Sequence, residues 1–149
     1  WDDLMYEKSY SWMTVYAQSK LANVLFTKEL QKRFGSFNVK SVSLHPGVIK
    51  SELGRDFGRK CSHKILIMIS SLFQKSPLEG AQNSLFCALE DHEKLQAGAY
   101  YKNSKVHKEN KIALQEENCK RLWDVSEQLI TQAKNPKPVV LHENFPFTL

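Results

Sequence analysis

The most constraining feature of the sequence is a long segment with two apolar stripes, followed after a short connection by a β-branched run. Along residues 11–34, one set of apolar side chains recurs at helical spacing and a second set forms another stripe. The two sets are Ala17, Leu21, Val24 and Leu25, then Ala22, Phe26 and Leu30. We therefore expect a helix over about 11–34 that is covered on two sides. Gly35 is expected to end this helix in the left-handed conformation.

The residues after this helix predict a short strand over 39–45, with Val42 and Leu44 on one face. Pro46 cannot donate a ladder hydrogen bond and Gly47 permits an unusual backbone, so the strand should end at that pair. His45, at the strand end, is expected to be a hydrogen-bonded structural residue rather than a general base.

The rest of the chain also alternates between predicted helices and predicted strands. Residues 76–79 combine an N-cap serine, a proline at the first helical position and a glutamate at the third, a capping box that predicts a helix to about Leu89. A short strand is predicted over 99–101, and a last helix over about 111–133. Alternating helices and strands indicate an α/β fold with a mostly parallel sheet. Two clear strands are too few for a closed α/β domain.

Composition excludes several classes of protein. The 149 residues carry 21 Lys and Arg against 16 Asp and Glu, for a net charge of +5. The content of 42% hydrophobic and 25% charged residues, with six Gly and five Pro, argues against collagen-like, coiled-coil and wholly disordered chains. Three cysteines without CxxC spacing favour a reducing compartment over a disulfide framework. The apolar run at 65–69, which resumes at 72–73, is shorter than the roughly 20 residues that span a bilayer. Because the first residue is Trp rather than Met, we expect the chain to be a piece of a longer protein.

Tyr16 and Lys20 form the candidate catalytic pair. They lie four residues apart on the first helix, so both side chains project from one face. A tyrosine with the ordinary pKa of about 10 is a poor acid or base at neutral pH. A nearby ammonium group favours the phenolate and lowers that pKa, so Tyr16 could exchange a proton with a carbonyl or alcohol oxygen. Alone, the Tyr-x-x-x-Lys spacing is a weak signal that favours a surface tyrosine beside a solvated lysine.

Several segments occur together in a fixed order over about residues 4–130. They are YAQSKLANVLF at 16–26, HPGVIKS at 45–51, SPLEGAQNSLFCAL at 76–89, GAYY at 98–101 and RLWDVS at 121–126. In this order and spacing they resemble the short-chain dehydrogenase/reductase family, most closely its retinol dehydrogenase-like branch. The resemblance implies that Tyr16 is the catalytic acid/base. It also implies that Lys20 bonds the nicotinamide ribose and lowers the tyrosine pKa.

The resemblance further implies a cofactor-binding turn after the first strand. Pro46 and Gly47 would lie under the nicotinamide, and Val48 belongs to the same stretch. The backbone of Ile49 would meet the carboxamide. Ser51 stands where the family most often has Thr, and keeps the hydroxyl that helps to hold the ring and the pyrophosphate region.

The family's glycine-rich, pyrophosphate-binding turn and its catalytic serine are missing from these 149 residues. The resemblance therefore implies an incomplete domain, the C-terminal half of a Rossmann-type doubly wound parallel sheet. Residues 1–134 would be the C-terminal part of the catalytic domain, and 135–149 a tail. Alone, the chain is expected neither to bind the dinucleotide tightly nor to turn over. The alternative is a truncated, inactive remnant that persists at most as an interaction or regulatory fragment.

Two other segments allow more than one interpretation. Basic residues at 55–64 precede the apolar run at 65–69, which predicts a lipophilic substrate lid, a peripheral membrane contact or a helix buried on the domain. The lysines at 102–111 are expected in a solvated loop rather than in a nucleic-acid site, because Glu109 interrupts them and aromatic residues are few. The scattered histidines predict no metal site.

For the parent protein, the resemblance implies an NAD(P)-dependent oxidoreductase that interconverts a lipophilic alcohol, such as a retinoid, and its aldehyde or ketone. NADP is the expected cofactor, with NAD as the alternative, because the residues that choose between them lie in the missing half. The apolar pattern on the first helix is compatible with a homodimer or with burial against other helices. The expected location is intracellular, in the cytoplasm or associated with the endoplasmic reticulum membrane.

Overall fold

The computed structural model describes residues 1–50 and 74–135. Within these ranges the regular elements, in chain order, are α1 (Trp12–Phe34), β1 (Ser43–His45), α2 (Pro77–Leu89), β2 (Tyr100–Lys102), β3 (Lys105–Val106) and α3 (Glu116–Lys134). Three short 3-10 turns accompany them, at Gly35–Phe37, His92–Lys94 and Lys111–Leu114. The predicted α/β class is confirmed for these residues.

The described strands form a mixed sheet in the order β1-β2-β3. β1 and β2 are parallel, with Leu44 opposite Tyr101, while β2 and β3 are antiparallel. The turn between β2 and β3 places Asn103 and Ser104 at φ values of 54° and 57°, as a tight hairpin requires. This hairpin was not predicted, because β3 is only two residues long and lies in a lysine-rich stretch. One of the two strand pairs of this described sheet is therefore antiparallel.

The first helix begins where the sequence predicts, but it ends differently. Gly35 has a right-handed φ of −59° and continues into a 3-10 turn, so the prediction of a left-handed Gly35 is wrong. Asn38 takes the left-handed conformation instead, at φ 60°, which asparagine tolerates better than most residues. The Gln31 side chain then donates to the carbonyl of Val39 and accepts from the amide of Ser41, fixing the exit of the chain from α1.

The helix at 76–89 is confirmed, whereas other boundaries shift. Ser76 and Glu79 make both hydrogen bonds of the capping box, and α2 ends at Leu89. Only the last three residues of the predicted strand at 39–45 pair in the sheet. The last helix starts at Glu116 rather than at 111, because the Asn110 side chain accepts from the amide of Ile112 and caps a separate 3-10 turn.

The core lies between α1 and α3. Leu25, Ala113 and Cys119 are buried there, with partly buried Leu21, Val24 and Leu122 against them. Beside this core, the Trp123 ring of α3 stacks on Phe26 of α1 with centroids 5.3 Å apart. Yet Phe26 stays 44% exposed, so the second apolar stripe of α1 is only partly covered by the described residues. Exposed apolar side chains also remain on α2, at Leu78, Leu85 and Leu89.

Candidate functional site

Tyr16 and Lys20 share one face of α1, one helical turn apart. The Lys20 ammonium nitrogen lies 5.2 Å from the centroid of the Tyr16 ring, which is the arrangement of a cation–π contact. Tyr16 is 48% exposed, so a ligand can reach its side chain. The sequence spacing thus places a phenol and a cation side by side on an open surface.

The pair borders a groove of about 890 Å³ between α1 and the sheet. Pro46 and Gly47, which follow β1, line the same groove. Its other lining residues include Val24, Thr27, Val42, His45, Tyr100, Lys102, His107, Lys108 and Glu109. The structure therefore brings together four of the predicted site residues from two separate parts of the chain.

The turn after β1 has the unusual backbone that the sequence predicts. Gly47 has a φ of +99°, a value that disfavours any residue with a side chain. Its amide donates a hydrogen bond of 2.8 Å to Nδ1 of His45, so that nitrogen carries no proton in this arrangement. His45 is accordingly a structural hydrogen-bond acceptor that shapes the turn, in agreement with its expected role.

Val48 and Ile49 lie beyond the groove, against the start of α2. The Lys75 amide donates to the carbonyl of Val48 at 2.8 Å, and the Lys50 amide donates to the carbonyl of Lys75 at 2.9 Å. Ile49 pairs with Lys75 as an isolated parallel bridge, and its side chain packs on Gly80, where a Cβ would lie only 2.2 Å from Cδ1 of Ile49. The predicted site residue Ser51 lies outside the described residues, as does the predicted lid at 55–73.

Sequence reasoning missed two residues that hold this turn. The Lys75 side chain crosses Gly47, with its Cδ 3.1 Å from the position of a Cβ, and its ammonium group donates to Oδ1 of Asn103 at 2.6 Å. Asn83, buried on α2, donates to the carbonyl of His45 at 3.0 Å. Lys75 directly precedes the segment at 76–89 that carries part of the family resemblance, and Asn83 lies within it. No spacing in the sequence links either residue to the turn.

Charges at the groove are mostly positive. Lys20, Lys102 and Lys108 line it, and the carboxylate of Glu109 pairs with Lys28 of α1. Burial alone would raise the pKa of Glu109, but its hydrogen bond and ion pair with Lys28, together with a backbone hydrogen bond, bring that pKa below the ordinary carboxyl value. The groove thus suits a ligand that carries negative charge.

The lysine-rich stretch is only in part the predicted loop, because Lys102 and Lys105 belong to the β2–β3 hairpin. Its lysines are nevertheless exposed.

Among residues 1–50 and 74–135, no group of three His, Cys, Asp or Glu side chains could hold a metal ion. No helix within those same ranges has the length and apolar character needed to cross a membrane. Cys87 and Cys119 are free, and burial raises the pKa of both thiols.

Comparison with known proteins identifies relatives of the chain. Human retinol dehydrogenase 14 is 38% identical over 130 residues, which are 87% of this chain and 39% of that protein. Human retinol dehydrogenase 12 is 41% identical over 128 residues, 86% of this chain and 40% of that protein. Mouse retinol dehydrogenase 13 is 37% identical over 133 residues. No family model and no solved structure matches the chain.

These relatives confirm the resemblance to the retinol dehydrogenase-like branch of the short-chain dehydrogenases/reductases. The chain spans about two fifths of the length of the curated relatives it matches.

Proposed function

We propose that this relative of the retinol dehydrogenases is the C-terminal part of an NAD(P)-dependent oxidoreductase with a Rossmann-type doubly wound sheet. The parent enzyme would interconvert a lipophilic alcohol, such as a retinoid, and its aldehyde or ketone. The observation that carries this proposal is the meeting of Tyr16, Lys20, Pro46 and Gly47 at one groove. Identity of 37–41% to proteins named as retinol dehydrogenases supports the same reaction class.

Tyr16 would act as the acid/base on the substrate oxygen. A phenol can take this role at neutral pH only if its ionised form is stabilised, and a neighbouring ammonium group does this through its charge. Lys20 would supply that charge, and its ammonium nitrogen lies 5.2 Å from the centroid of the Tyr16 ring. Its ammonium group also has three donors, which suit the hydroxyls of a ribose.

Pro46, Gly47, Val48 and Ile49 would hold the nicotinamide end of NADP, or of NAD. Bound NAD(P) supplies or accepts the hydride. Gly47 lines the groove, so its backbone would form part of the surface that a flat ring meets. Because Lys75 bonds the carbonyl of Val48 and the amide of Lys50, the amide and carbonyl of Ile49 point away from Lys75, as alternate backbone groups do along a strand. They can therefore meet a carboxamide, and the Ser51 hydroxyl would add a further contact.

The remaining parts of the enzyme would precede this chain. A pyrophosphate site needs backbone amides at a helix N-terminus after a glycine-rich turn, and no Gly-x-x-x-Gly-x-Gly occurs in the sequence. We therefore expect the 149-residue chain alone to be inactive and to bind NADPH or NADH only weakly. Isothermal titration of the chain tests this expectation, and a dissociation constant in the micromolar range would contradict it.

The coding sequence upstream of Trp1 separates this proposal from the alternative of an inactive remnant. A glycine-rich turn followed by a serine on the strand before residue 1 supports the enzyme. A stop codon or a true start at that point supports the remnant. In the first case, retinol oxidation with NADP and retinal reduction with NADPH by the full-length protein test the activity directly.

The proposal extends to partners and location. Exposed apolar residues on α1 and α2 suit contact with a second copy of the protein or with the other half of the domain. The full-length protein is expected inside the cell, in the cytoplasm or at the endoplasmic reticulum membrane. Peripheral membrane contact through 55–73, outside the described residues, is tested by liposome flotation with Ile67→Asp as the control. Nucleic acid is not an expected partner, and DNA binding that weakens with salt would contradict this expectation.

A further inference from the structure

Asn83 on α2 is a buried polar residue whose side chain joins three backbone segments. It is 3% exposed. Its Nδ2 donates to the carbonyl of His45 at 3.0 Å and to the carbonyl of Tyr101 at 3.3 Å, while its Oδ1 accepts from the amide of Ser104 at 2.7 Å. A single carboxamide thus fixes the end of β1, the middle of β2 and the turn into β3.

The contact with His45 lies at the boundary of the candidate site. His45 is the last residue of β1, and Pro46 after it has no N–H with which to continue the ladder. The ring of His45 accepts from the amide of Gly47. The backbone of His45 is therefore held by Asn83, and its side chain holds the glycine of the turn.

We propose that Asn83 is a positioning residue for the cofactor-binding turn, acting through His45 on Pro46 and Gly47. This inference rests on the proposed function, in which that turn lies under the nicotinamide. Asparagine suits the position because its carboxamide offers two donors and one acceptor, which match two carbonyls and one amide. Aspartate keeps the shape but, when ionised, loses both donors and faces two carbonyl oxygens.

The consequence of losing the donors is local. A buried carbonyl without a donor is unfavourable, so the end of β1 would move toward another donor or toward water and carry the turn with it. Tyr16 and Lys20 lie on α1 and are not held by Asn83. The change should therefore weaken cofactor binding more than it slows turnover once the cofactor is bound.

The first test uses the full-length protein that contains this chain, with NADPH and NADH as probes. In Asn83→Asp we expect the cofactor dissociation constant to rise about ten-fold, with kcat at saturating cofactor within about two-fold of wild type. Leu25→Ala, in the core between α1 and α3, is the control for loss of stability and should leave the dissociation constant unchanged. An unchanged constant in Asn83→Asp, or an equal rise in Leu25→Ala, would overturn the inference.

The second test does not depend on the cofactor. Amide hydrogen exchange of the same full-length protein should become about ten-fold faster at Gly47 in Asn83→Asp, and stay unchanged in the neighbouring exposed variant Gln82→Ala. Equal protection in Asn83→Asp and wild type overturns the inference. If the wild type binds neither nucleotide, the proposed function fails, whereas the exchange result still decides whether Asn83 holds the turn. If Asn83→Asp does not fold, Asn83→Ser replaces it with the same outcomes.

Discussion

The ammonium group of Lys28 on α1 pairs with the carboxylate of Glu109, in the segment that follows β3. Both side chains are largely buried, with 27% and 14% of their surface exposed. The pair fastens α1 to a residue that lines the candidate groove. Because Lys28 stabilises the ionised carboxylate, it holds the pKa of Glu109 below the ordinary value even though burial, the largest influence, acts in the opposite direction.

This pair predicts a pH-dependent contribution to stability. The pKa of Glu109 is lower in the folded than in the unfolded chain, so the contribution is complete above the ordinary value of 4.5 and is lost as the pH falls through the lowered folded value. Glu109→Gln should reduce the free energy of unfolding by about 1 kcal/mol at neutral pH. Urea denaturation at neutral and acidic pH measures this difference. The exposed variant Glu117→Gln serves as the control, and a deficit that persists undiminished in acid would contradict the prediction.

Replacing Tyr16 with phenylalanine tests the proposed acid/base. The substitution removes only the hydroxyl, so kcat/KM of the full-length enzyme should fall by about 10²- to 10⁴-fold, the contribution of a general acid or base. Because Tyr16 is 48% exposed, the free energy of unfolding should change by less than about 0.5 kcal/mol. Tyr10→Phe, at a position that is 72% exposed and away from the groove, should retain activity. Steady-state kinetics with retinol or retinal measure kcat/KM for the wild type and both variants. Retained turnover in Tyr16→Phe rules out the proposed role of Tyr16 as the acid/base.

Gly47→Ala tests the conformation of the turn. At φ +99° a side chain is strained, and the new Cβ would lie 3.1 Å from Cδ of Lys75. We expect a loss of about 1–2 kcal/mol in the free energy of unfolding, together with weaker cofactor binding by the full-length protein. Val48→Ala, at the next and 62% exposed position, should change stability little. A Gly47→Ala protein as stable as wild type would show that the turn is not constrained in this way.

The features that could be predicted from the sequence are those with short-range causes. The capping box at 76–79 fixes the start of α2 through two contacts over three residues, and Tyr16 and Lys20 lie together because helical spacing puts them there. The features that escaped prediction depend on distant partners. Asn83 donates to the carbonyl of His45, 38 residues away along the chain, and Lys75 donates to Asn103, 28 residues away. Contacts at such separations leave no local pattern in the sequence.

The boundary errors have physical causes of the same kind. Glycine is a common helix-ending residue, but here the left-handed residue is Asn38 and not Gly35. The Gln31 side chain bonds the backbone of Val39 and of Ser41, on both sides of Lys40, and so fixes the path of the chain beyond α1. The two-residue strand β3 joins the sheet only through its hairpin partner β2, which pairs with β1 on its other side. Neither the propensity of one residue nor a periodic pattern contains that information.

Trp123 is expected to be the main contact that holds α3 on α1. Its ring stacks on Phe26, its centroid lies 6.1 Å from that of Phe34, and the guanidinium of Arg33 lies 4.8 Å from it. Trp123→Ala removes these three contacts and should lower the free energy of unfolding by about 2 kcal/mol, less than for a fully buried tryptophan because the side chain is only half-buried. Ile130→Ala, on the same helix and 54% exposed, should cost less than about 0.5 kcal/mol. Chemical denaturation followed by far-UV circular dichroism measures both variants, and equal losses in the two would contradict the assignment of Trp123 as the anchor of α3.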